Sequence, residues 1–158
     1  MGEPADNCDQ VVPAVKTLAD RQMFGLAQSK ITVSTVAPDP SAFVELGKAP
    51  STLAWSVHAV DDELRKTLVP TTRHTMEELK VSLYFKNLQQ SNMLTQSTKA
   101  GLIEALRGRS NKLRRTMLEV VLIAGVNDSD KEAQLLARFA QSIMVGSGMN
   151  IREFLFLP

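Results

Sequence analysis

The 158-residue sequence has one cysteine, Cys8, which leaves no internal disulfide and no thiolate-based metal site. Aromatic residues make up 5% of the chain, with one tryptophan and one tyrosine. A surface that stacks successive bases would have few side chains to draw on. Neither sign of charge prevails: 18 Lys and Arg oppose 17 Asp and Glu, a formal +1. That excludes a chain-wide field that gathers nucleic acid or anionic lipid, so any RNA contact must come from a local patch. No apolar run approaches the ~20 residues that span a bilayer, and no membrane partner is expected. The start, Met1-Gly2-Glu3-Pro4-Ala5-Asp6, lacks the basic and apolar regions of a secretory signal and reads as turn chemistry.

Against these shortages stands an apolar content of 44%, enough for a core in one domain over 1–158. The run Leu53-Ala54-Trp55-Ser56-Val57-His58-Ala59 reads as a buried strand, about 52–59. Ser56 and His58 lie near its C-terminal end, two apart, and the spacing predicts that they project to one face. Ligands of α/β sheets bind at the carboxyl ends of strands.

The remaining elements alternate. Val11, Val12, Val15, Leu18, Ala19 and Met23 have helical spacing over 9–24, with Asn7 or Asp9 as cap and Gly25 beyond the end. Ile31–Val36 is β-branched and reads as a strand. Asp39-Pro40 opens a short helix that ends at Gly47, and Asp61-Asp62 caps another that stops before Pro70. Thr75-Met76-Glu77-Glu78 and Ser129-Asp130-Lys131-Glu132 have capping-box spacing ahead of apolar periodicity, the first predicting a helix through Phe85. Met117–Ala124 and Arg152–Leu157 read as strands. Residues 87–116 look polar and irregular, an expected insertion with one helix near 98–107. The pattern predicts an α/β fold with parallel strands, and it leaves an open sheet and an incomplete barrel equally possible.

Polar side chains fall at the predicted strand ends: Ser34, Ser56, His58, and Asn127 in the turn after the third strand, with Gly2 and Glu3 in the first loop. Singly, each has a structural reading as well: a core serine, a satisfied histidine, a turn asparagine, a solvated glutamate. Together they offer a carboxylate for an ammonium, hydroxyls for a carboxylate or ribose, and an amide for paired donors and acceptors. That set suits a zwitterionic nucleoside.

Five motifs, Met1-Gly2-Glu3-Pro4, Ile31-Thr32-Val33-Ser34-Thr35, Ser56-Val57-His58-Ala59 with Asp62-Glu63-Leu64-Arg65, Leu68-Val69-Pro70, and Gly125-Val126-Asn127-Asp128, occur in the order and approximate spacing of the RlmN/Cfr family. The chain resembles these radical S-adenosylmethionine (radical SAM) RNA methyltransferases, which act on adenosine in rRNA and, in some members, tRNA. The resemblance covers nearly everything outside 87–116. It implies a partial TIM-like (β/α)6 barrel, truncated here to about its last four strands. It also implies S-adenosylmethionine as cofactor, bound by Gly2, Glu3, Ser34, Ser56, Val57, His58 and Asn127. In the family a 4Fe–4S cluster reduces S-adenosylmethionine to a radical, which activates a methyl group carried on a cysteine.

Here the sequence departs from the family. The cluster's Cys-x3-Cys-x2-Cys motif lies upstream of Gly-Glu-Pro in relatives; this sequence has none, and Cys8 stands on the other side. The methyl-carrying cysteine is absent too. Thr72 and Leu155 replace asparagines, and Ala37 replaces a glycine. The expectation is therefore the S-adenosylmethionine-binding core of a cytoplasmic (or organellar) rRNA and possibly tRNA adenine methyltransferase, inactive as the chain stands, with no catalytic or metal-binding residue assigned. The alternative is a non-catalytic RNA- or nucleoside-binding paralogue. The basic cluster Arg107, Arg109, Lys112, Arg114, Arg115 reads either as a solvated insertion or as an RNA phosphate contact. An exposed sheet edge predicts self-association.

Overall fold

Three short runs pair as parallel strands, β1 (Thr32–Thr35), β2 (Thr52–Ser56) and β3 (Thr116–Glu119), in the order β1-β2-β3. The computed structural model describes residues 2–81 and 101–148. The strand expected over 152–157, with Leu155, and the helix end at 82–85 lie outside the described residues. Parallel neighbours need crossovers. Helix α2 (Ser41–Gly47) supplies the first; α3 (Asp62–Leu68), α4 (Met76–Lys80) and α5 (Leu102–Arg107) fall within the second. A 3-10 turn at Pro4–Asn7 and α1 (Cys8–Ala19) precede the sheet, and α6 (Asp130–Ser147) follows it.

Alternation gives the sheet two unlike faces. Val33, Leu53, Trp55 and Leu118 point into the hydrophobic core. Ser34, Ala54, Ser56, Met117 and Glu119 point the other way and join none of it. Parallel sheets are ordinarily covered on both faces, and the polar character of this second face sets it apart.

Trp55 sits at the centre of the core, fully buried. Its ring meets Phe43 edge-on at 5.0 Å and Phe139 at 5.5 Å, and the Arg65 guanidinium lies 5.6 Å from its centroid. Replacing such a residue with alanine costs about 3–5 kcal/mol. The central strand is thereby anchored by its side chain as well as by its two ladders.

Local chemistry accounts for several helix starts. The Asp61 side chain accepts from the Leu64 N–H at 2.9 Å, and Thr75 and Glu78 cap each other reciprocally. Ser129 accepts from the Glu132 N–H at 3.3 Å. Helix ends are less faithful to the periodicity. α1 stops at Ala19 rather than near residue 24, because Asp20 turns extended and its carboxylate accepts from the Gln22 N–H at 2.8 Å. The chain then reverses at Gly25, in the left-handed region at φ 64°.

Strand ends also fall short of expectation. β2 ends at Ser56 and β3 at Glu119, where 52–59 and 117–124 were expected. Val121, Leu122 and Ile123 continue β3 as exposed, non-strand backbone. The segment expected as an insertion divides. Residues 82–100 lie outside the described residues, whereas 101–116 contains α5, whose Leu102 and Leu106 are fully buried in the core.

Candidate functional site

Strand β2 gives way to a sharp corner. Val57 is buried, its N–H donating to the Glu119 carbonyl at 2.9 Å, and His58 then takes a left-handed φ of 59°. The corner after β1 repeats the device at Ala37, φ 54°, also fully buried. Left-handed backbone costs a residue with a Cβ on the order of 1 kcal/mol. One side chain holds both corners. Arg65, on α3, donates through Nη2 to the Val36 carbonyl at 2.6 Å, and through Nη1 to the carbonyls of Val57 and Ser56, the latter at 3.1 Å. Val36 and Val57 are the residues immediately before the two left-handed positions. Burial lowers the Arg65 pKa to about 10, still charged at neutral pH.

This corner corrects the expectation that Ser56 and His58 share a face. With the strand finished at Ser56, alternation no longer governs His58, and the two side chains part. Ser56 stays on the polar face, where its Oγ lies 3.3 Å from Ser34 Oγ and 3.1 Å from Glu119 Oε2; Ser34 Oγ also donates to Glu119 Oε2. His58 turns toward β3, where its Nδ1 accepts the Val121 N–H at 3.2 Å. That bond fixes the neutral tautomer with its proton on Nε2, a donor without a partner among the described residues. Burial, then Arg65, lowers the His58 pKa, and Glu119 opposes them.

Asn127 is buried and works across the same gap. Its Nδ2 donates to the His58 carbonyl at 2.7 Å and to the Val121 carbonyl at 2.8 Å, and its Oδ1 accepts from the Ile123 N–H at 2.7 Å. It ties the β2 corner to the loop after β3 and keeps one lone pair unspent. A cavity of about 160 Å³ opens beside it, lined by His58, Val60, Val120, Leu122, Asn127 and Leu136 among others. Its walls are mainly apolar. A larger hollow, about 560 Å³ between α4, α5 and α6, lies away from the strand ends.

Glu3 reaches the rim but is already engaged. One carboxylate oxygen accepts from the Ala5 N–H at 2.9 Å and from Thr35 Oγ1, and the other from the Val36 N–H at 3.0 Å. It clasps the first loop to the end of β1. Gly2 is exposed beside it. The structure thus gathers Ser34 with Ser56, and His58 with Asn127, while Glu3 and Val57 hold backbone.

Glu119 and Arg65 are the residues that sequence reasoning missed. A single carboxylate inside the apolar run Met117–Ala124 was the available signal for Glu119. Its importance shows only in the register, which sets it opposite Ser56. The basic cluster is mostly committed within the fold. Arg109 is buried and donates to the Ala49 carbonyl at 2.8 Å and to that of Ser51; Arg107 pairs with Glu104 at 2.9 Å; Arg114 reaches the carbonyls of Arg107 and Arg109, each at 3.4 Å. Lys112 and Arg115 are exposed. Cys8 donates its thiol to the Ala5 carbonyl at 3.4 Å, and burial, then Glu45, raises its pKa.

No protein-family model matches the chain. Among curated proteins it is 40% identical to the dual-specificity RNA methyltransferase RlmN of Methylobacterium sp. (strain 4-46), over 90% of this chain and 28% of that protein. It is 39% identical to the RlmN of Methylocella silvestris (90% and 31%) and 36% identical to that of Desulfotalea psychrophila (90% and 34%). Among solved structures, a radical SAM methyltransferase from Sphaerobacter thermophilus superposes with a TM-score of 0.64 at 32% identity, covering 89% of this chain and 36% of that one. In sequence and in fold the chain is a relative of the RlmN-type methyltransferases, spanning 28–34% of the length of those it matches.

Proposed function

We propose that the chain is the S-adenosylmethionine-binding part of an RlmN-like RNA methyltransferase, its sheet forming about the last four strands of a (β/α)6 barrel. The observation that carries this is the placement of two polar pairs, Ser34 with Ser56 and His58 with Asn127, at the carboxyl ends of three adjacent parallel strands. The polar sheet face outside the hydrophobic core would look into the barrel, and the cavity beside Asn127 would take the apolar face of the adenine.

Each residue then has a task set by its unspent capacity. His58 offers Nε2–H as a donor, and Asn127 offers one acceptor lone pair beside it. Ser34 and Ser56 present hydroxyl oxygens. Glu3 and Val57 keep the backbone in place around them, and Gly2 leaves the approach beside Glu3 free of a side chain. When bound, S-adenosylmethionine supplies the methyl group that the family transfers to an adenine ring carbon.

The 4Fe–4S cluster of the family does not fit these residues. Its ligation calls for three thiolates, and this sequence holds one, at Cys8, engaged within its own turn. The chain alone would accordingly be inactive as a methyltransferase. Its substrates would be rRNA and possibly tRNA, met in the cytoplasm or an organelle. Among the described residues no helix is long and apolar enough to cross a membrane. β1 and β3 are edge strands in the described sheet, and copies of the chain would associate through such an edge.

Calorimetric titration with S-adenosylmethionine tests the reading. Roughly millimolar affinity is expected, lost on Asn127→Ala if the adenine end lies there. Absence of any binding at several times that concentration overturns it. Addition of iron and sulfide is expected to leave no stable 4Fe–4S absorption, and light scattering is expected to show species larger than a monomer.

A further inference from the structure

Between the end of α1 and the start of β1 the chain makes a turn that shows its apolar side chains to water. Met23, Phe24 and Leu26 fall within four residues and are 65%, 66% and 46% exposed. Single exposed apolar residues are ordinary, but a group of large ones marks a contact surface. The turn is firmly built. The Asp20 carbonyl accepts from the N–H groups of Met23 at 3.1 Å and Gly25 at 2.8 Å, and the Leu26 N–H donates to the Leu18 carbonyl at 2.9 Å. The backbone is fixed while the side chains stay exposed, which spares an incoming partner the cost of ordering them.

Positive charge adjoins the same spot. A hollow of about 530 Å³ opens beside Leu26, with Arg21, Gln28, Ser29 and Lys112 among its walls. Its lining holds two cations and, among the described residues, no carboxylate. Arg107 is paired with Glu104, whereas neither Arg21 nor Lys112 has an ion-pair partner among the described residues. Residues 20–30 lead into β1 and 112–115 into β3. This surface therefore lies at the amino ends of the strands, away from Ser34, Ser56, His58 and Asn127, and is independent of the nucleoside reading.

An occupant of this surface must bring apolar side chains and negative charge together. A nucleic acid brings the charge without aliphatic surface, and the turn offers it a single aromatic ring for stacking. A second copy laid face to face would set Arg21 and Lys112 against their own kind, and like charges opposed across an interface are costly. An acidic amphipathic protein segment meets both demands, and Phe, Met and Arg are the residue types enriched at the centres of protein interfaces. We propose that the turn at 20–26, with Lys112, is a docking site for such a segment of a protein partner. Met23 and Phe24 pack on its apolar side, and Arg21 and Lys112 take its carboxylates at the hollow.

The test is fluorescence anisotropy with labelled probes. One is a peptide of about 18 residues with leucine at every third or fourth position and glutamate between, and another is the same peptide with lysine for glutamate. A mixed-sequence single-stranded RNA of about 20 nucleotides completes the set. The wild type is expected to bind the acidic peptide with a Kd of roughly 10–100 µM, and the lysine peptide at least about tenfold more weakly. Phe24→Ser, at an exposed position, is expected to keep its urea midpoint and to weaken the acidic peptide about tenfold. Lys112→Glu is expected to weaken it about threefold at low ionic strength and less as salt is raised. Should Phe24→Ser fail to fold, Met23→Ser takes its place with the same expectation. Equal binding of the two peptides overturns the proposal, as does an acidic-peptide affinity unchanged in the folded variant, or no acidic-peptide binding at millimolar protein. RNA binding that is tighter than peptide binding and insensitive to Phe24→Ser overturns it in favour of a nucleic-acid surface. Loss of self-association in Phe24→Ser by light scattering overturns it in favour of a contact between copies.

Discussion

The two ends of β2 are each held by a buried arginine, and they could hardly be more different in use. At the N-terminal end Arg109 donates to the carbonyls of Ala49 and Ser51 and closes that edge. At the C-terminal end Arg65 donates to three carbonyls across two strands, and those carbonyls precede Ala37 and His58, both left-handed. Among the described residues each guanidinium has a fully buried nitrogen without a hydrogen-bond partner, Nη1 in Arg109 and Nε in Arg65. The same costly device thus serves plain closure at one end, and at the other maintains bent backbone around a polar rim. A buried arginine is therefore no mark of a site. What marks the site is the strain it is asked to hold.

The comparison can be broken most directly at its larger end. Arg65→Met would strip the side-chain donor from three carbonyls, leaving that of Val57 with the Ala59 N–H at 2.7 Å, and release both corners, and a loss of about 3–5 kcal/mol is expected by urea unfolding. Arg109→Met strips the side-chain donor from two carbonyls, of which that of Ala49 keeps the Ser51 N–H at 2.9 Å, and frees no left-handed residue, so about 2–3 kcal/mol is expected with ligand binding unchanged. If both variants lose equal stability and equal affinity, the two ends are not functionally distinct.

Acid sharpens the contrast. Because folding lowers the pKa of His58, the folded state disfavours its protonated form, in which Nδ1–H would confront the Val121 N–H. Its contribution is present above the unfolded value near 6.5 and is lost as pH falls through the lower, folded value. The urea midpoint is expected to fall in that window, and His58→Asn, which tolerates the left-handed backbone, is expected to remove that part of the slope. Equal slopes in both proteins would place the acid sensitivity elsewhere.

The smallest effect is expected at Ala37→Gly. Glycine relieves left-handed strain of about 1 kcal/mol, but it adds unfolded-state entropy of similar size and removes a buried methyl. The net change in stability is expected to stay below about 1 kcal/mol by urea unfolding. A clear loss beyond that would mean that the methyl's packing, not the corner's strain, dominates there.

What was legible in the sequence was chemistry that acts locally. The caps at Asp61, Thr75 and Ser129 announced three helices because their side chains bond to backbone three residues away. Parallel strands followed from the alternation of elements, and the rim serines from their places near the ends of β-branched or apolar runs. The remainder depended on pairs distant in sequence. Ser56 and Glu119 are 63 residues apart, Arg65 and Val36 29 apart, Arg109 and Ala49 60 apart. Arginine in a helix or after it reads as solvated by default, and only the packed fold reveals that these two are not. The apolar pattern through Ala59 and Ala124 overran the true strand ends for a related reason: residues beyond a corner stay apolar when they line a cavity or an exposed rim.

One consequence of the shared grip by Arg65 concerns motion. Two loops that each carried its own restraint would fluctuate independently, and a ligand spanning them would have to wait for both to be in place. Here each corner has a partner of its own, Glu3 on the Val36 N–H and Asn127 on the His58 carbonyl, and the one guanidinium bonded to both couples them. The ends of β1 and β2 then open as one cooperative unit, and in the closed state they form a single preformed wall for the ligand proposed above.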